Sequence, residues 1–334
     1  MKYKNGLVLG KMYPPTKGHM YLIESALKEA ETVHVVVCFN STQNISGKDR
    51  TYIIRNAFKH TKRVKIYQLC DDGKPQSDDE CDTLDEFYAH WVPAVHSTVK
   101  DIDVVFTSEK YGDDFGRYLG VDHVMIDLLR KTVCISGTKV RQDPYGNWDF
   151  IPDQSKFLYA KRIALMGPES VGKSVLSVKL AEHYQTELVP EYGREFCEKN
   201  GGNLELYDFI KISMERAKLE KKALLKCNKF LIVDTEDITT YLFSKLFYPD
   251  EYKQIEPFYV NRIKQLDNYD LYILLKPDCP GIVDDIRQHL DDRQEHYDMI
   301  KEKLELFGCN YIEVGGSWSE RFEQSVDKID SLIK

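Results

Sequence analysis

The segment Gly167-Pro168-Glu169-Ser170-Val171-Gly172-Lys173-Ser174 fits the pattern G-x-x-x-x-G-K-[ST] at every position. A chance match in a chain of this length arises about once in a hundred sequences. Its flanks narrow the fold further. Ile163-Ala164-Leu165-Met166 reads as a buried strand, and Val175, Leu176, Val178, Leu180 and Ala181 follow at helical spacing. A strand, a glycine loop and a helix in that order commit the second half to a parallel sheet with crossover helices. Gly167, Glu169, Ser170, Val171 and Gly172 would wrap a triphosphate in backbone N–H groups. Lys173 would neutralise its β and γ phosphates, and Ser174 would offer a hydroxyl to Mg2+. ATP with Mg2+ is the expected ligand pair.

Other residues of this half fit the same chemistry. Phe230-Leu231-Ile232-Val233-Asp234 is an apolar strand ending in a carboxylate, the pattern of an acid that orients Mg2+. An acidic N-cap for the next helix is the competing reading of Asp234. Glu191-Tyr192-Gly193-Arg194-Glu195 follows a short strand over residues 187–189. There Glu191 could take a proton from an attacking hydroxyl, and Tyr192 could stack on a flat ring. Arg287 and Arg293 lie where small kinases keep a lid; a pair of surface salt bridges explains them equally well. Strands are also expected at residues 271–275 and 311–314.

The first half repeats the alternation of strand and helix. Strands are expected at residues 6–9, 33–38, 64–69, 103–107, 123–126 and 132–134. Helices are expected at 19–30, 49–59 and 84–99, the last interrupted near Pro93. The first strand runs into Gly10-Lys11-Met12-Tyr13-Pro14-Pro15-Thr16-Lys17-Gly18-His19 and then a helix, which aims backbone N–H groups at one spot. His19 would donate to a phosphate oxygen from the first helical turn, with Lys11 and Lys17 adding charge. Ile135-Ser136-Gly137-Thr138-Lys139-Val140-Arg141 would open a second helix N-terminus with two hydroxyls and two cations. The fold class is therefore α/β with parallel sheets in both halves. Turn formers around residues 143–148 place the boundary near 156–161, giving domains 1–157 and 158–334.

Composition excludes several function classes. The chain carries 46 basic and 54 acidic residues, a net charge of −8, which argues against a nucleic-acid partner. No apolar run approaches the ~18 residues of a membrane span, and the N-terminus is too short in apolar residues for a signal peptide. No membrane insertion and a cytoplasmic location follow. The eight cysteines show no C-x-x-C or zinc spacing and should be reduced and mostly buried. Residues 71–86, with eight acids and one lysine, read as a solvated loop leading into a helix in preference to a cation site, because a charge run alone does not make carboxylates converge.

The two anion motifs of the first half carry a resemblance. Gly10-Lys11-Met12-Tyr13-Pro14 with Thr16-Lys17-Gly18-His19 resembles the G-x-F-x-P-x-[HT]-x-G-H signature of the nucleotidylyltransferase superfamily, and Ile135 to Arg141 resembles its I-S-x-T-x-x-R signature. Thr16 stands where histidine is usual and Met12 where phenylalanine is common. With Ser108-Glu109-Lys110-Tyr111-Gly112-Asp113 and the fused glycine loop at 167–174, nearly the whole chain resembles NadR-type proteins. These join a Rossmann-like nicotinamide-nucleotide adenylyltransferase domain to a P-loop ribosylnicotinamide kinase domain. Glu191 to Glu195 and Asp234-Thr235 also resemble that kinase. Longer members carry an N-terminal helix-turn-helix, which is not expected here because the first strand begins about five residues in.

The resemblance implies two reactions with small-molecule partners. The kinase would phosphorylate the 5′-hydroxyl of ribosylnicotinamide, with Glu191 or Asp234 as base and Lys173, Arg287 and Arg293 neutralising the γ-phosphoryl. The other domain would join the mononucleotide to ATP, giving NAD and pyrophosphate. His19 would stabilise the α-phosphoryl, and Lys11, Lys17, Ser136, Thr138 and Arg141, with Gly10, Tyr13, Pro14, Gly18 and Gly137, would hold the leaving phosphates. Glu109, Tyr111, Gly112 and Asp113, and Trp148, are expected near the nicotinamide nucleotide. Three alternatives remain open: action on a different phosphorylated substrate or nucleoside, a nucleotide sensor that regulates a partner, or activity in only one of the two domains. A homo-oligomer is also left open.

Overall fold

A computed structural model describes residues 1–265, 269–280 and 293–334 of the chain. It divides into two compact units, Met1–Ser155 and Lys156–Lys334. Each is built around one five-stranded parallel sheet.

The first unit runs β1 (Tyr3–Gly10), α1 (Lys17–Glu29), β2 (Ala30–Phe39), α2 (Gly47–Ala57), β3 (Val64–Cys70), α3 (Leu84–Thr98), β4 (Val104–Thr107), α4 (Gly112–Leu119), β5 (Asp122–Met125) and α5 (Gly137–Gln142). The strand order is β3-β2-β1-β4-β5. Chain direction across the sheet therefore reverses between β1 and β4, and a crevice opens beyond their carboxyl ends. Leu7, Val36, Cys38 and Val105 pack one sheet face against Tyr88, Trp91 and Val95 of α3 and Phe115 of α4.

A single turn, α6 (Asp153–Lys156), spans the division between the units. The second unit continues with β6 (Lys161–Met166), α7 (Lys173–Tyr184), β7 (Leu188–Val189), α8 (Tyr192–Lys199), α9 (Asp208–Ala223), β8 (Phe230–Asp234) and α10 (Asp237–Phe247). It ends with α11 (Glu256–Gln265), β9 (Leu271–Leu275), α12 (Arg293–Leu306), β10 (Tyr311–Val314) and α13 (Trp318–Asp330). The order is β10-β9-β6-β8-β7. The period of two is visible in the core. Ala164, Met166, Leu231 and Val233 enter one apolar layer, while Ile163, Leu165, Phe230 and Ile232 enter the other. Strands buried on both faces read as continuous apolar runs, which is why they stand out in the sequence.

Three expectations need correction. Residues 132–134 form no strand, because the Asp127 carboxylate collects the backbone N–H groups of Lys131, Thr132 and Val133 that a ladder would need. Helix α3 is continuous through Pro93. It gives up one backbone bond, and burial of Tyr88, Trp91 and Val95 holds it together. All eight cysteines are free, but only Cys38 and Cys227 are buried, and Cys70 and Cys134 are exposed. Among the described residues no helix is long and apolar enough to cross a membrane.

Candidate functional site

The crevice of the first unit is a cavity of about 710 Å³, lined on one side by the loop after β1 and on the other by the start of α5. Ser136 caps α5 by accepting from the Lys139 N–H at 3.2 Å, as its residue type suggests. The two anion motifs meet at Tyr13. The Arg141 guanidinium lies 4.3 Å from the Tyr13 ring centroid and donates to the Tyr13 carbonyl. Gly137 permits the approach, since a Cβ there would stand 2.5 Å from that carbonyl oxygen.

His19 is oriented by its own helix cap. The Thr16 backbone N–H donates to His19 Nδ1 at 3.0 Å, and Thr16 Oγ1 lies 2.8 Å from the same nitrogen. With its Nδ1 lone pair engaged, the neutral ring carries its proton on Nε2. Burial, followed by the Arg130 charge, pushes the imidazole down to about 4. His19 is thus a neutral donor at pH 7.

Gly10, Lys11, Met12, Tyr13, Thr16, Gly18, His19, Ser136, Gly137, Thr138 and Arg141 all line this cavity, as do Glu109 and Tyr111. Lys17, Pro14, Gly112 and Asp113 do not. Lys17 is exposed, and Pro14 and Gly112 are buried beside the loops. Asp113 accepts from His123 Nδ1 at 2.7 Å, its side chain 83% exposed. Trp148 is buried away from the cavity, its ring stacked 6.3 Å from Tyr145. The sequence reading missed Arg130, which pairs with Glu109 at 3.3 Å, and Phe87, Tyr88 and Trp91, which add an aromatic wall. It also missed Asp71, fully buried at the end of β3, whose carboxylate oxygens have no hydrogen-bond partner among the described residues. Burial raises its pKa, and Lys11 and Arg50 oppose that rise.

The second cavity, about 260 Å³, opens beyond β6 and β8. Ser170 (φ +55°) and Gly172 (φ +88°) take left-handed backbone in the loop. Lys173 is buried, and its Nζ donates to the carbonyls of Gly167 at 3.0 Å and Pro168 at 2.8 Å. Parallel pairing sets Asp234 beside Leu165, next to the entrance of the loop. Asp234 does not cap the following helix. Glu236 does, accepting from the N–H groups of Ile238 (2.5 Å) and Thr239 (2.8 Å). Asp234 is 2% exposed, and burial, then Glu191, raises its carboxyl to about 6.

Glu169, Ser170, Val171, Gly172, Lys173, Ser174, Glu191, Tyr192, Arg194 and Asp234 line this cavity together. Gly167 supports the loop from outside the lining. Arg293 starts α12 and donates to the Cys279 carbonyl at 3.0 Å, outside the lining. Arg287 lies outside the described residues. The sequence reading missed an apolar wall of Leu204, Phe209, Ile212, Phe243 and Phe247, and also Trp318, which lies against Gly172. These residues sit on three separate helices and a loop, so no local pattern joins them.

A family profile described as AAA domain matches residues 162–321, and one described as citrate lyase ligase C-terminal domain matches residues 6–72. The trifunctional NAD biosynthesis/regulator protein NadR of Escherichia coli (strain K12) is 28% identical over 98% of this chain and 83% of its own length. A crystal structure of a NadR protein in complex with NR matches with a TM-score of 0.81 at 18% identity, over 99% of this chain and 96% of that one. A NadR structure in complex with NAD and AMP-PNP matches with a TM-score of 0.79 at 19% identity and the same coverage. The chain is thus similar along nearly its entire length, in sequence and in fold, to NadR proteins.

Proposed function

We propose that the chain is a two-step NAD-forming enzyme. The second unit phosphorylates ribosylnicotinamide with ATP, and the first joins the resulting mononucleotide to a second ATP, releasing pyrophosphate. The observation that carries this reading is the presence of two separate cavities, one at the crevice of each parallel sheet and each lined by a glycine-containing loop and a helix start. Whole-length similarity to NadR proteins supports it.

In the first unit the mononucleotide phosphate attacks the α-phosphorus of ATP. That phosphate is already an anion, so positioning and charge stabilisation suffice. The Nε2–H of His19 donates to the α-phosphoryl oxygen, while Lys11, Ser136, Thr138 and Arg141 hold the departing pyrophosphate. The aromatic wall of Phe87, Tyr88 and Trp91 takes the pyridine ring.

In the second unit a neutral 5′-hydroxyl attacks the γ-phosphorus. Asp234 and Glu191 stand together there, and with Asp234 turned to a cation, Glu191 is the carboxylate left to accept the hydroxyl proton. Lys173 neutralises the transferred group, and the apolar wall with Tyr192 receives the nucleoside. Ser174 and Asp234 supply hard oxygen donors, and the buried Asp234 charge fits a divalent cation. Mg2+ usually takes one or two protein oxygens and completes its shell with phosphate and water. Bound there, Mg2+ would screen the β and γ phosphates. We place the protein in the cytoplasm, where both nucleotides occur.

Supplying ribosylnicotinamide and Mg-ATP to the purified chain, and following products by mass spectrometry, tests the reading. Mononucleotide followed by NAD is expected. Nucleotide binding without turnover would favour a sensor instead.

A further inference from the structure

Among the described residues, the two largest fully buried side chains are both arginines, Arg50 and Arg321. One lies in each unit, and each sits beneath that unit's phosphate loop. A guanidinium is costly to bury unless its donors find partners. Arg50 donates from Nη1 to the carbonyls of Lys11 at 2.7 Å and Cys38 at 3.2 Å, from Nε to the Ser46 carbonyl at 3.3 Å, and from Nη2 to Gln43 at 2.5 Å. Its Cζ lies 5.1 Å from the Tyr13 ring centroid. Arg321 donates from Nη1 to the Val171 carbonyl at 2.9 Å, from Nε to Gly316 at 3.0 Å, and from Nη2 to the Lys276 carbonyl at 3.2 Å and to the Asp278 carboxylate. It lies 5.6 Å from the Trp318 ring.

The two arrangements share one geometric consequence. In a planar trans peptide the C=O and N–H point in opposite directions. A carbonyl drawn down to a buried guanidinium therefore turns the N–H of the next residue up. For Lys11 that next residue is Met12, and for Val171 it is Gly172. Both line their cavities. Both also have left-handed backbone, at φ +46° and +88°, the conformation that gathers successive N–H groups around an anion. Two unrelated loop sequences thus reach the same local geometry over the same kind of support.

We propose that Arg50 and Arg321 are the positioning residues of the two phosphate cradles, each pinning a loop carbonyl so that the amide of Met12 or Gly172 faces the triphosphate. The assignment of a reaction to each cradle rests on the function proposed above; the bracing itself does not. Neither arginine touches the reacting atoms in this scheme, and each acts through the loop above it.

The test uses the full chain with Arg50→Lys and Arg321→Lys, which keep the charge and lose the fork of donors. Arg50→Lys should lower kcat/KM for ATP in adenylyl transfer about a hundredfold. The kinase should stay within about twofold, since Arg50 shares no partner with the second unit's loop. Arg321→Lys should give the mirror result. In each impaired reaction, inhibition by inorganic tripolyphosphate should weaken about tenfold while inhibition by adenosine holds. Equal weakening of both inhibitors would indicate a merely structural role and overturn the proposal, as would an own-reaction change below about threefold.

Should either lysine variant fail to fold, Gln43→Leu and Asp278→Asn loosen each guanidinium without removing it. They must show the same unit-selective loss at about three- to tenfold, and no selective loss overturns the proposal. Titration calorimetry with tripolyphosphate separates this outcome from failure of the functional reading. Wild type should show two sites and Arg50→Lys one strong site, whether or not the chain turns over either substrate.

Discussion

In the proposed scheme the two cradles answer one problem, holding a triphosphate, with different surroundings for the attacking group. The carboxylates around the first cradle are mostly engaged: Glu109 pairs with Arg130, and Asp127 is held by three backbone N–H groups. Its distinctive side chain is a neutral imidazole fixed by a helix cap. Beside the second cradle stands a buried acid raised to about 6, with Glu191 as neighbour. The contrast matches the nucleophiles. A phosphate arrives charged and needs only donors, whereas a hydroxyl has a proton to lose. The supports differ too. Arg321 is in contact with the carboxylate of Asp278, while Asp71 opposes the Arg50 charge from a distance, its carboxylate oxygens without a hydrogen-bond partner among the described residues.

The largest expected effect tests whether the cradles are separate at all. Lys173→Ala removes the only side-chain cation within the glycine loop. Kinase turnover should fall about 10²- to 10³-fold, with adenylyl transfer unchanged. Product analysis with each substrate supplied separately would show it. Parallel loss of both reactions in a folded variant breaks the comparison.

His19→Ala comes next, with adenylyl transfer down about a hundredfold and the kinase unaffected. The pH profile sharpens the point. The competent form is the neutral ring, and its pKa is about 4. The rate should therefore stay level with respect to this group from about pH 5.5 to 8 and fall only in acid, where the imidazolium forms. A rise in kcat on acidification through pH 6.5 would instead require a charged donor.

A smaller effect is expected from Gly137→Ala. The added methyl meets the Tyr13 carbonyl, which is backbone and cannot swing aside. Overpacking of this kind costs about 1–3 kcal/mol, and the parting of the two loops should lower adenylyl transfer about tenfold. Thermal melting and steady-state rates on the same sample separate the two contributions.

How far the sequence could be read follows from the range of the forces involved. The glycine loop, the caps Ser136 and Thr16, and the apolar strands are set by neighbours within a few residues, and a linear pattern reports them. Arg50 follows Lys48-Asp49 in a polar helix start, and Arg321 sits in Trp318-Ser319-Glu320-Arg321. Neither stretch marks its arginine as buried. The two arginines are buried only because carbonyls from several distant segments converge on them, and nothing local announces that convergence. Residues 132–134 were misread for a related reason: one aspartate five residues upstream takes the donors that a strand requires. Pro93 was overweighted because a breaker is local while the packing that tolerates it is not.

The smallest expected effect concerns residues that the family signatures place in the site and the fold does not. Lys17 is exposed on the first turn of α1, outside the cavity lining, and the Asp113 carboxylate faces His123. Screened charges at such positions contribute little, so Lys17→Ala and Asp113→Ala should each change KM for ATP or mononucleotide by less than about threefold. Repeating the measurement at low ionic strength distinguishes long-range steering from contact. A modest rise in KM that fades with added salt leaves Lys17 as a field around the first cradle. A salt-independent loss of tenfold or more would mean that the loop after β1 reorganises around the nucleotide, and that the first cradle is assembled by its ligand while the second is built in advance.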